Sequence, residues 1–240
     1  LDTMKRRGPD DRGIYQNEDV TLLHTRLAII DPEGGCQPMT VTQGNESYVL
    51  VYNGELYNTA ELRQELRSLG HRFSGHSDTE VVLRAYIAWG QDCVHRFNGI
   101  FAFAVLETNS RRLFLARDRI RVKPLFYTVF HDALIFASEI KAMLAHPKVS
   151  STVDRYGLWE LLYLSPNFIG GKSVFKDICE LLPGEYLLFD EKGLKKRKYW
   201  QIKAIPYFKD KSYAVDVTRY LVSDAVKRQL VSDVPLCVLL

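Results

Sequence analysis

The sequence lacks the features of membrane proteins and of nucleic-acid-binding proteins. No apolar run approaches the ~20 residues of a membrane-spanning helix, and the chain does not open on a signal-peptide pattern. The net charge of +3, from 32 Lys and Arg against 29 Asp and Glu, is too balanced to indicate a nucleic-acid partner. The basic cluster at residues 195–198 lies between Leu194 and Tyr199, which favours a solvated strand end over a polyanion site. We therefore expect neither a membrane nor a nucleic acid as a partner.

Cysteine is scarce and follows no pattern. The four residues, Cys36, Cys93, Cys179 and Cys237, form no CxxC pair and show no metal-site spacing with histidine. Neither a zinc site nor a disulfide framework is expected, and a reducing cytoplasm fits this usage best. Cys36 follows two glycines after the Arg26 segment and is one candidate nucleophile. Since no histidine base is indicated near it, a small buried thiol is the favoured interpretation.

With 240 residues, of which 46% are hydrophobic, the chain can form one large core, or one domain and part of another. Periodicity and turn signals predict, in chain order, strands at 22–30 and 48–52, helices at 58–70 and 77–90, a hairpin of 100–107 with 112–117 around 109–110, a hairpin of 125–130 with 133–137 around 131–132, helices at 139–145 and 153–164, strands at 185–190 and 194–200, a helix at 212–231 and a strand at 234–240. The hairpin strands are nearly continuous apolar runs, so both of their faces are expected to be covered. Strands paired in hairpins and covered by helices imply a layered α+β domain.

Local signals predict how several of these elements begin and end. Asn53-Gly54 is expected to stop the strand that precedes it. Capping boxes are predicted at Asn58, with Glu61, and at Ser77, with the glutamate three residues on. The second box leaves Asp78 in the first helical turn, where N–H groups stabilise a carboxylate and the side chain is free to face a ligand.

Short polar segments follow or open the apolar ones, at residues 26–31, 53–58, 77–80 and 117–118. A free amino acid carries a carboxylate, which needs fixed N–H donors, and an ammonium, which needs carboxylates. Arg26 suits the first group, and Asp78 and Glu55 suit the second. Asn53-Gly54 adds a side-chain amide and a glycine N–H, which is the donor pair of an oxyanion hole. These residues therefore predict one pocket for a small zwitterion, and amide chemistry in it.

Each of these residues also has an ordinary structural interpretation. An isolated Arg26 is more often a strand-edge arginine, and an isolated Asp78 is by default a helix-start carboxylate. Asn53-Gly54 is one of the strongest hairpin-turn signals. The turn interpretation is weakened because the residues after Gly54 lead into a helix rather than into a return strand.

Six motifs occur in the order and spacing of one enzyme family. They are Arg7-Gly8-Pro9-Asp10, Arg26-Leu27-Ala28-Ile29-Ile30-Asp31, Asn53-Gly54-Glu55, Ser77-Asp78 with Glu80, Asn98-Gly99-Ile100-Phe101-Ala102-Phe103-Ala104, and Arg117-Asp118. Over nearly its whole length the chain resembles the glutaminase domain of glutamine-hydrolysing asparagine synthetases. The resemblance implies a four-layer αββα N-terminal-nucleophile sandwich at residues 1–200, a linker at 201–211, and the start of an α/β ATP-binding synthetase domain at 212–240.

The resemblance also implies a role for each site residue. Arg26 clamps the α-carboxylate of glutamine, and the residues beside it, Leu27, Ala28, Ile29 and Ile30, contribute to the same site. Asn53 and Gly54 hold the oxyanion, while Glu55 and Asp78 face the ammonium. The nucleophile is an N-terminal cysteine on a strand upstream of the Arg7 loop, with its own α-amino group as base. Because this chain begins at Leu1, we expect it to be a fragment, cut at both ends and inactive alone.

A second, coupled reaction is implied for the synthetase domain, in which ammonia attacks β-aspartyl-AMP. Aspartate is the acceptor, ATP and Mg²⁺ act there, Leu240 borders the ATP site, and a homodimer is an implied assembly. Two alternatives stay open. One is a related amidotransferase of the β-lactam synthetase or sugar-amidating type. The other is a glutaminase-like module without a nucleophile, which only binds glutamine.

Arg117-Asp118 is predicted to have a structural role, holding the irregular segment that precedes residues 123–127. The sequence departs from the family at this segment, since Arg121 stands where a glycine usually follows. A glycine there would serve a positive φ angle, which a long side chain resists by ~1 kcal/mol or more. The departure puts the loop geometry in question.

Overall fold

The computed structural model describes residues 1–130, 133–164, 171–206 and 210–237. The strands are β1 (Asp11–Gln16), β2 (Thr21–Arg26), β3 (Met39–Gln43), β4 (Glu46–Leu56), β5 (Gly99–Glu107), β6 (Arg112–Arg117), β7 (Phe126–Phe130), β8 (Ala133–Ala137), β9 (Cys179–Glu180), β10 (Glu185–Asp190) and β11 (Gly193–Lys198). The helices are α1 (Thr59–Ser68), α2 (Asp78–Trp89), α3 (Cys93–Arg96), α4 (Ile140–Leu144), α5 (Arg155–Leu164) and α6 (Lys211–Gln229), with short 3₁₀ turns at Asp2–Met4 and Gly90–Asp92.

Three antiparallel sheets organise these strands. The largest has six strands in the order β11-β10-β6-β5-β4-β3, and β5 and β6 at its centre are buried almost throughout. The smaller sheets have the orders β1-β2 and β8-β7-β9. The predicted hairpin of β5 with β6 is confirmed, and so is the pairing of β7 with β8. The predicted turn of the second hairpin, His131-Asp132, lies outside the described residues.

The apolar clusters place these sheets in layers between helices. One face of the six-stranded sheet packs on α1 and α2, through residues that include Leu50, Tyr52, Leu66, Val82 and Phe103. Its opposite face packs on the smaller sheets, through residues that include Leu22, Val51, Ala104, Leu115 and Tyr127. The outer face of the β8-β7-β9 sheet packs on α4 through Met143. The order helix, sheet, sheet, helix confirms the prediction of a layered α+β domain whose central strands are covered on both faces.

Strand β4 is longer than predicted. Asn53-Gly54 does not stop it, because β4 continues through Leu56 and residues 53–56 pair with residues 99–102 of β5. The neighbouring strand supplies partners along the whole segment, so sheet pairing overrides the local turn signal.

The two predicted capping boxes have different outcomes. Ser77 caps α2 as predicted, since its side chain accepts from the Glu80 N–H at 3.3 Å. Asn58 precedes α1 but makes no side-chain cap. Its Oδ1 instead accepts from the Asn98 N–H and its Nδ2 donates to the Arg96 carbonyl, both at 2.9 Å. A tertiary contact to residues 96–98 has replaced the local cap.

The C-terminal part agrees with the prediction for its helix but not for its strand. Helix α6 corresponds to the predicted helix at 212–231, although Asp210 is the residue that caps it. The predicted strand at 234–240 is not formed at 234–237, since these residues have no partner strand in the described part of the chain. Its last three residues, including the predicted ATP-site residue Leu240, lie outside the described ranges. None of the described helices is both long and apolar enough to span a bilayer.

A buried ion cluster joins the six-stranded sheet to the three-stranded one. Arg117, at the end of β6, donates to Glu180 of β9 at 2.7 Å, and both side chains are buried. Arg121 also pairs with Glu180, and its φ of +67° is the positive angle for which the family's glycine was inferred. Asp118 accepts from the Ile120, Val122 and Lys123 N–H groups at 2.9–3.0 Å. The structural role predicted for Arg117-Asp118 is confirmed.

Replacement of Glu180 by glutamine is expected to destabilise the fold by about 3 kcal/mol, because it leaves the buried Arg117 guanidinium without a counter-charge. Urea denaturation measures this loss. Glu191→Gln, an exposed change in the β10–β11 turn, is the matched control and should leave the midpoint unchanged. Equal midpoints for the two variants would show that the cluster does not hold the sheets together.

Candidate functional site

Eight of the nine residues predicted to bind glutamine line one cavity of about 1000 Å³. It lies between β2, the edge of the two-stranded sheet, and β8, the edge of the three-stranded sheet, with β4 and the start of α2 on another side. Its lining includes Arg26, Leu27, Ile29, Ile30, Asn53, Gly54, Glu55 and Asp78. Ala28 is not in the lining, and its N–H donates to the Asp10 carboxylate at 2.9 Å. The structure thus brings the two charge types together, while the individual roles remain predictions.

Arg26 ends β2 and is buried. Its guanidinium donates to three carbonyl oxygens of the following turn, those of Pro32 at 2.6 Å, Ile30 at 3.1 Å and Asp31 at 2.7 Å. These bonds use three of the five N–H donors of an arginine. Arg26 therefore stabilises the turn at 30–32, and a ligand carboxylate would share the guanidinium with that turn.

Asn53 presents a donor without a partner. Side chains alternate along a strand, so Asn53 shares a face with Val51, which packs between the two sheet layers. Its Nδ2 is buried and has no hydrogen-bond partner among the described residues. A buried amide N–H without an acceptor is costly, and such groups in native proteins call for an explanation. A ligand oxygen in the cavity would satisfy it.

Gly54 directs its backbone N–H away from β5. Backbone groups alternate along a strand, and the N–H and C=O of Tyr52 both bond to the Gln37 side chain, at 2.6 and 3.0 Å. The Leu56 N–H points to the same edge and donates to Asp78 at 3.1 Å. The Gly54 N–H therefore lies on this edge, between the two contacts. A Cβ at Gly54 would also clash with the Ile100 carbonyl oxygen, so a larger residue does not fit.

Asp78 begins α2 and is buried beneath the cavity. Its Oδ2 accepts from the Tyr52 hydroxyl at 2.9 Å and from the Leu56 N–H at 3.1 Å. Burial raises the pKa of Asp78 above its ordinary value, and these two bonds act in the opposite direction. A buried carboxylate that is costly to ionise favours a cationic partner such as an ammonium.

Glu55 shares the cavity face of β4 with Asn53. Burial raises the pKa of Glu55, the nearby Lys123 ammonium lowers it, and the Asp78 charge raises it again. Two carboxylates thus face one region, with Lys123 also in the lining. An incoming cation would relieve the repulsion between Glu55 and Asp78.

His24, on β2, also lines the cavity, although no sequence signal predicted it as a site residue. Burial, followed by the Arg26 charge, lowers the pKa of His24 to about 4. The imidazole is therefore neutral at neutral pH. Cys36, the alternative nucleophile, is not a lining residue, and its Sγ donates to the Glu33 carbonyl at 3.3 Å. The interpretation of Cys36 as a buried thiol is wrong, because the residue is exposed.

Sequence reasoning assigned no role to Gln37, Tyr52 or Asp31, which hold the site residues in place. Gln37 takes the place of a paired strand beside Tyr52, and Asp31 accepts from the His76 and Ser77 N–H groups. None of the three has a local signature, because each acts through a partner distant in the sequence. Gln37 bonds to Tyr52, Tyr52 to Asp78, and Asp31 to the N–H groups of residues 76–77. In the described ranges there is no group of three or more His, Cys, Asp or Glu side chains that could hold a metal ion.

Comparison with known proteins gives one family. Residues 1–200 match the model of the glutamine amidotransferase domain. The chain is 48% identical over 239 residues to glutamine-hydrolysing asparagine synthetase 3 of Bacillus subtilis, covering 100% of this chain and 39% of that protein. It is 34% identical over 249 residues to amidase chyE of Penicillium rubens, covering 100% of this chain and 35% of the relative. The chain therefore spans about two fifths of the length of the relatives it matches.

A solved structure shares the fold. Glutamine phosphoribosylpyrophosphate amidotransferase from Bacillus subtilis, in complex with ADP and GMP, superposes with a TM-score of 0.54 at 24% identity. The match covers 76% of this chain and 35% of that chain. At this identity the likeness shows a common fold.

Tyr52→Phe is expected to raise the pKa of Asp78 further, because it removes the hydroxyl donor that stabilises the ionised carboxylate. Carboxyl-carbon NMR titration measures this pKa, with Asp78→Asn identifying the resonance. Tyr48→Phe, on the same strand and the same face, is the control and should leave the titration unchanged. A pKa of Asp78 that stays constant or falls in Tyr52→Phe would contradict the hydrogen-bond assignment.

Proposed function

The chain belongs to the glutamine amidotransferase domain family, and from this premise we propose that the full protein is a glutamine-hydrolysing asparagine synthetase. In this proposal residues 1–200 release ammonia from glutamine, and the ammonia amidates aspartate elsewhere in the protein. The observation that carries the proposal is the buried Asn53 Nδ2, which has no hydrogen-bond partner among the described residues and belongs to a cavity that cationic and anionic side chains also line. A neutral amide donor in the same cavity as charges of both signs suits an α-amino acid with a side-chain carbonyl.

Glutamine is proposed to bind with its α-carboxylate at Arg26 and its ammonium between Glu55 and Asp78. Its amide oxygen then faces Asn53 Nδ2 and the Gly54 N–H. When a nucleophile adds to the amide carbon, this oxygen becomes an oxyanion, and the two donors stabilise it more than they stabilise the ground state. The leaving nitrogen takes a proton and departs as ammonia, and water then hydrolyses the acyl-enzyme to glutamate.

The nucleophile is proposed to be an N-terminal cysteine on a strand upstream of the Arg7 loop, acting with its own α-amino group as base. Support comes from the cavity walls, since β2 and β8 are both sheet edges and face the same space. An extended segment between them would satisfy backbone groups on both edges. The exposed position of Cys36, outside the lining, is a second observation in favour.

ATP and Mg²⁺ are proposed for the synthetase domain, whose start we propose at residues 212–240, after a linker at 201–211. The four cysteines are free thiols, which supports a cytoplasmic location. A homodimer remains a prediction.

Two candidate functions differ in the molecule that accepts the ammonia. Similarity to a protein named as an amidase keeps a related amidotransferase as the second candidate function. A direct assay separates the two, because an asparagine synthetase converts aspartate, glutamine and ATP to asparagine. If glutamate is released but aspartate is never amidated, the second candidate replaces the first.

Asn53→Ala in the full-length protein is expected to lower kcat for glutamine hydrolysis by ~10²–10³, with a much smaller rise in KM, because oxyanion donors act mainly in the transition state. Ammonia-dependent asparagine synthesis should survive, since it bypasses this site. Asn109→Ala, in the β5–β6 turn, serves as the control. Equal losses of the glutamine-dependent and ammonia-dependent activities would show that Asn53 supports the fold instead.

Labelling of the full-length protein with an electrophilic glutamine analogue, such as a diazoketone, tests the proposed nucleophile. Mass spectrometry of proteolytic fragments is expected to find the adduct on an N-terminal cysteine upstream of the Arg7 loop, because the thiolate beside the oxyanion donors reacts fastest. An adduct on Cys36 would overturn the assignment. The absence of any adduct in a protein that binds glutamine would favour the binding-module alternative.

A further inference from the structure

The two charged ends of the cavity lie on separate elements. Arg26 ends β2, whereas Asp78 begins α2, 52 residues later along the chain. Among the described residues, the Arg26 side chain makes no hydrogen bond to α2 and the Asp78 side chain makes none to β2. A ligand that spans both ends therefore needs something else to fix the distance between them.

Asp31 supplies that link within the amidotransferase domain. Its carboxylate accepts from the N–H groups of His76 at 2.8 Å and Ser77 at 3.0 Å, directly before α2. Its carbonyl accepts from the Arg26 guanidinium at 2.7 Å. Asp31 also has a φ of +48°, and a Cβ at Gly75 would come within 2.6 Å of its carboxylate. The turn that carries Asp31 is thus held closely against the start of α2.

Asp233 approaches the same turn from the opposite end of the chain. Its Oδ2 accepts from the Asp31 N–H at 2.8 Å and lies 2.9 Å from His76 Nε2. Its own N–H donates to the Ile29 carbonyl at 3.0 Å. One residue therefore contacts both the turn after Arg26 and the loop before Asp78.

A second contact holds the same C-terminal segment. Arg228, at the end of α6, donates to Glu61 of α1 at 2.7 Å. Residues 228–233 are thereby attached to the domain at two points, and Asp233 is outside the 1–200 range of the family match. The contact at Asp233 is the one that reaches the cavity wall, because Ile29 is a lining residue.

We propose that Asp233 is a positioning residue of the glutamine site, which holds the turn at 29–31 in the conformation that orients Arg26 toward Asp78. The inference rests on the proposed function, and it adds a regulatory consequence. Asp233 lies within the segment proposed to begin the synthetase domain, so a displacement there would loosen glutamine binding. By linkage, bound glutamine would stabilise the Asp233 contacts by the same factor.

The test uses Asp233→Ala in the full-length protein, with glutamate release from glutamine measured in the absence of ATP and aspartate. The KM for glutamine is expected to rise about fivefold, the effect of losing one hydrogen bond, since the Asp233 side chain is half-exposed. The kcat should change less than about twofold, because the reacting groups are untouched. Asp233→Asn keeps an oxygen that accepts from the Asp31 N–H, so its KM should stay within about twofold of wild type.

Asp216→Ala is the matched control. Asp216 lies on α6, pairs with Arg219 at 3.0 Å, and is exposed. Its loss should change neither kinetic parameter. An equal rise in KM for Asp216→Ala and Asp233→Ala would overturn the proposal, since it would reflect general weakening of the C-terminal segment.

Backbone hydrogen exchange supplies a readout that does not depend on catalysis. In Asp233→Ala the amides of residues 29–34 should exchange about fivefold faster, while those of β4 should keep their wild-type protection. Unchanged exchange together with an unchanged KM would overturn the positioning role. A wild-type protein that releases no glutamate would refute the proposed function instead, and the exchange data would still decide whether Asp233 holds the turn.

Discussion

The alternation of strand β4 is the constraint on which the site depends. Its odd-numbered side chains, including Asn53 and Glu55, face the space between the two sheet layers, and its even-numbered side chains face α1 and α2. Tyr52 can therefore reach Asp78 from the helix side while Asn53 enters the cavity from the other. A shift of register by one residue would exchange these faces and dismantle the site. The long pairing with β5 prevents such a shift.

Arg26 serves the fold and the proposed chemistry at once. Its guanidinium holds three carbonyl oxygens of the turn that follows it, so the same charge that would attract a ligand carboxylate also shapes the cavity wall. If a ligand carboxylate binds Arg26 as proposed, ligand binding and turn conformation are coupled through one side chain. A lysine could not replace it, because a single ammonium lacks the planar fork that bonds several oxygens in fixed directions.

The sequence predicted the structure best where the local residue pattern agrees with the contacts that the folded chain makes. The hairpin of β5 with β6, the cap at Ser77 and the layered α+β class follow from local patterns. Predictions failed where a distant strand or loop overrode a local signal, as at Asn53-Gly54, which pairs with β5, and at Asn58, which bonds to residues 96–98. The contribution of Asp31 could not be predicted, because nothing near it in the sequence indicates that its carboxylate bonds to the loop before α2. At Arg121 the backbone has the positive φ angle that the family's glycine was expected to serve, although the residue is an arginine.

The contact between Asp31 and Asp233 also has a consequence for the order in which the protein is made. The two residues are 202 positions apart, and a ribosome adding about 5–20 residues per second takes roughly 10–40 s to synthesise the chain between them. During that interval the sheets and α2 can form. The turn after Arg26 still lacks the hydrogen bond between the Asp31 N–H and the Asp233 carboxylate. A nascent chain would thus hold a loosely organised cavity until the segment after α6 emerges. Under the proposed function, glutamine breakdown would then be delayed until the part of the protein proposed to receive the ammonia has begun to appear.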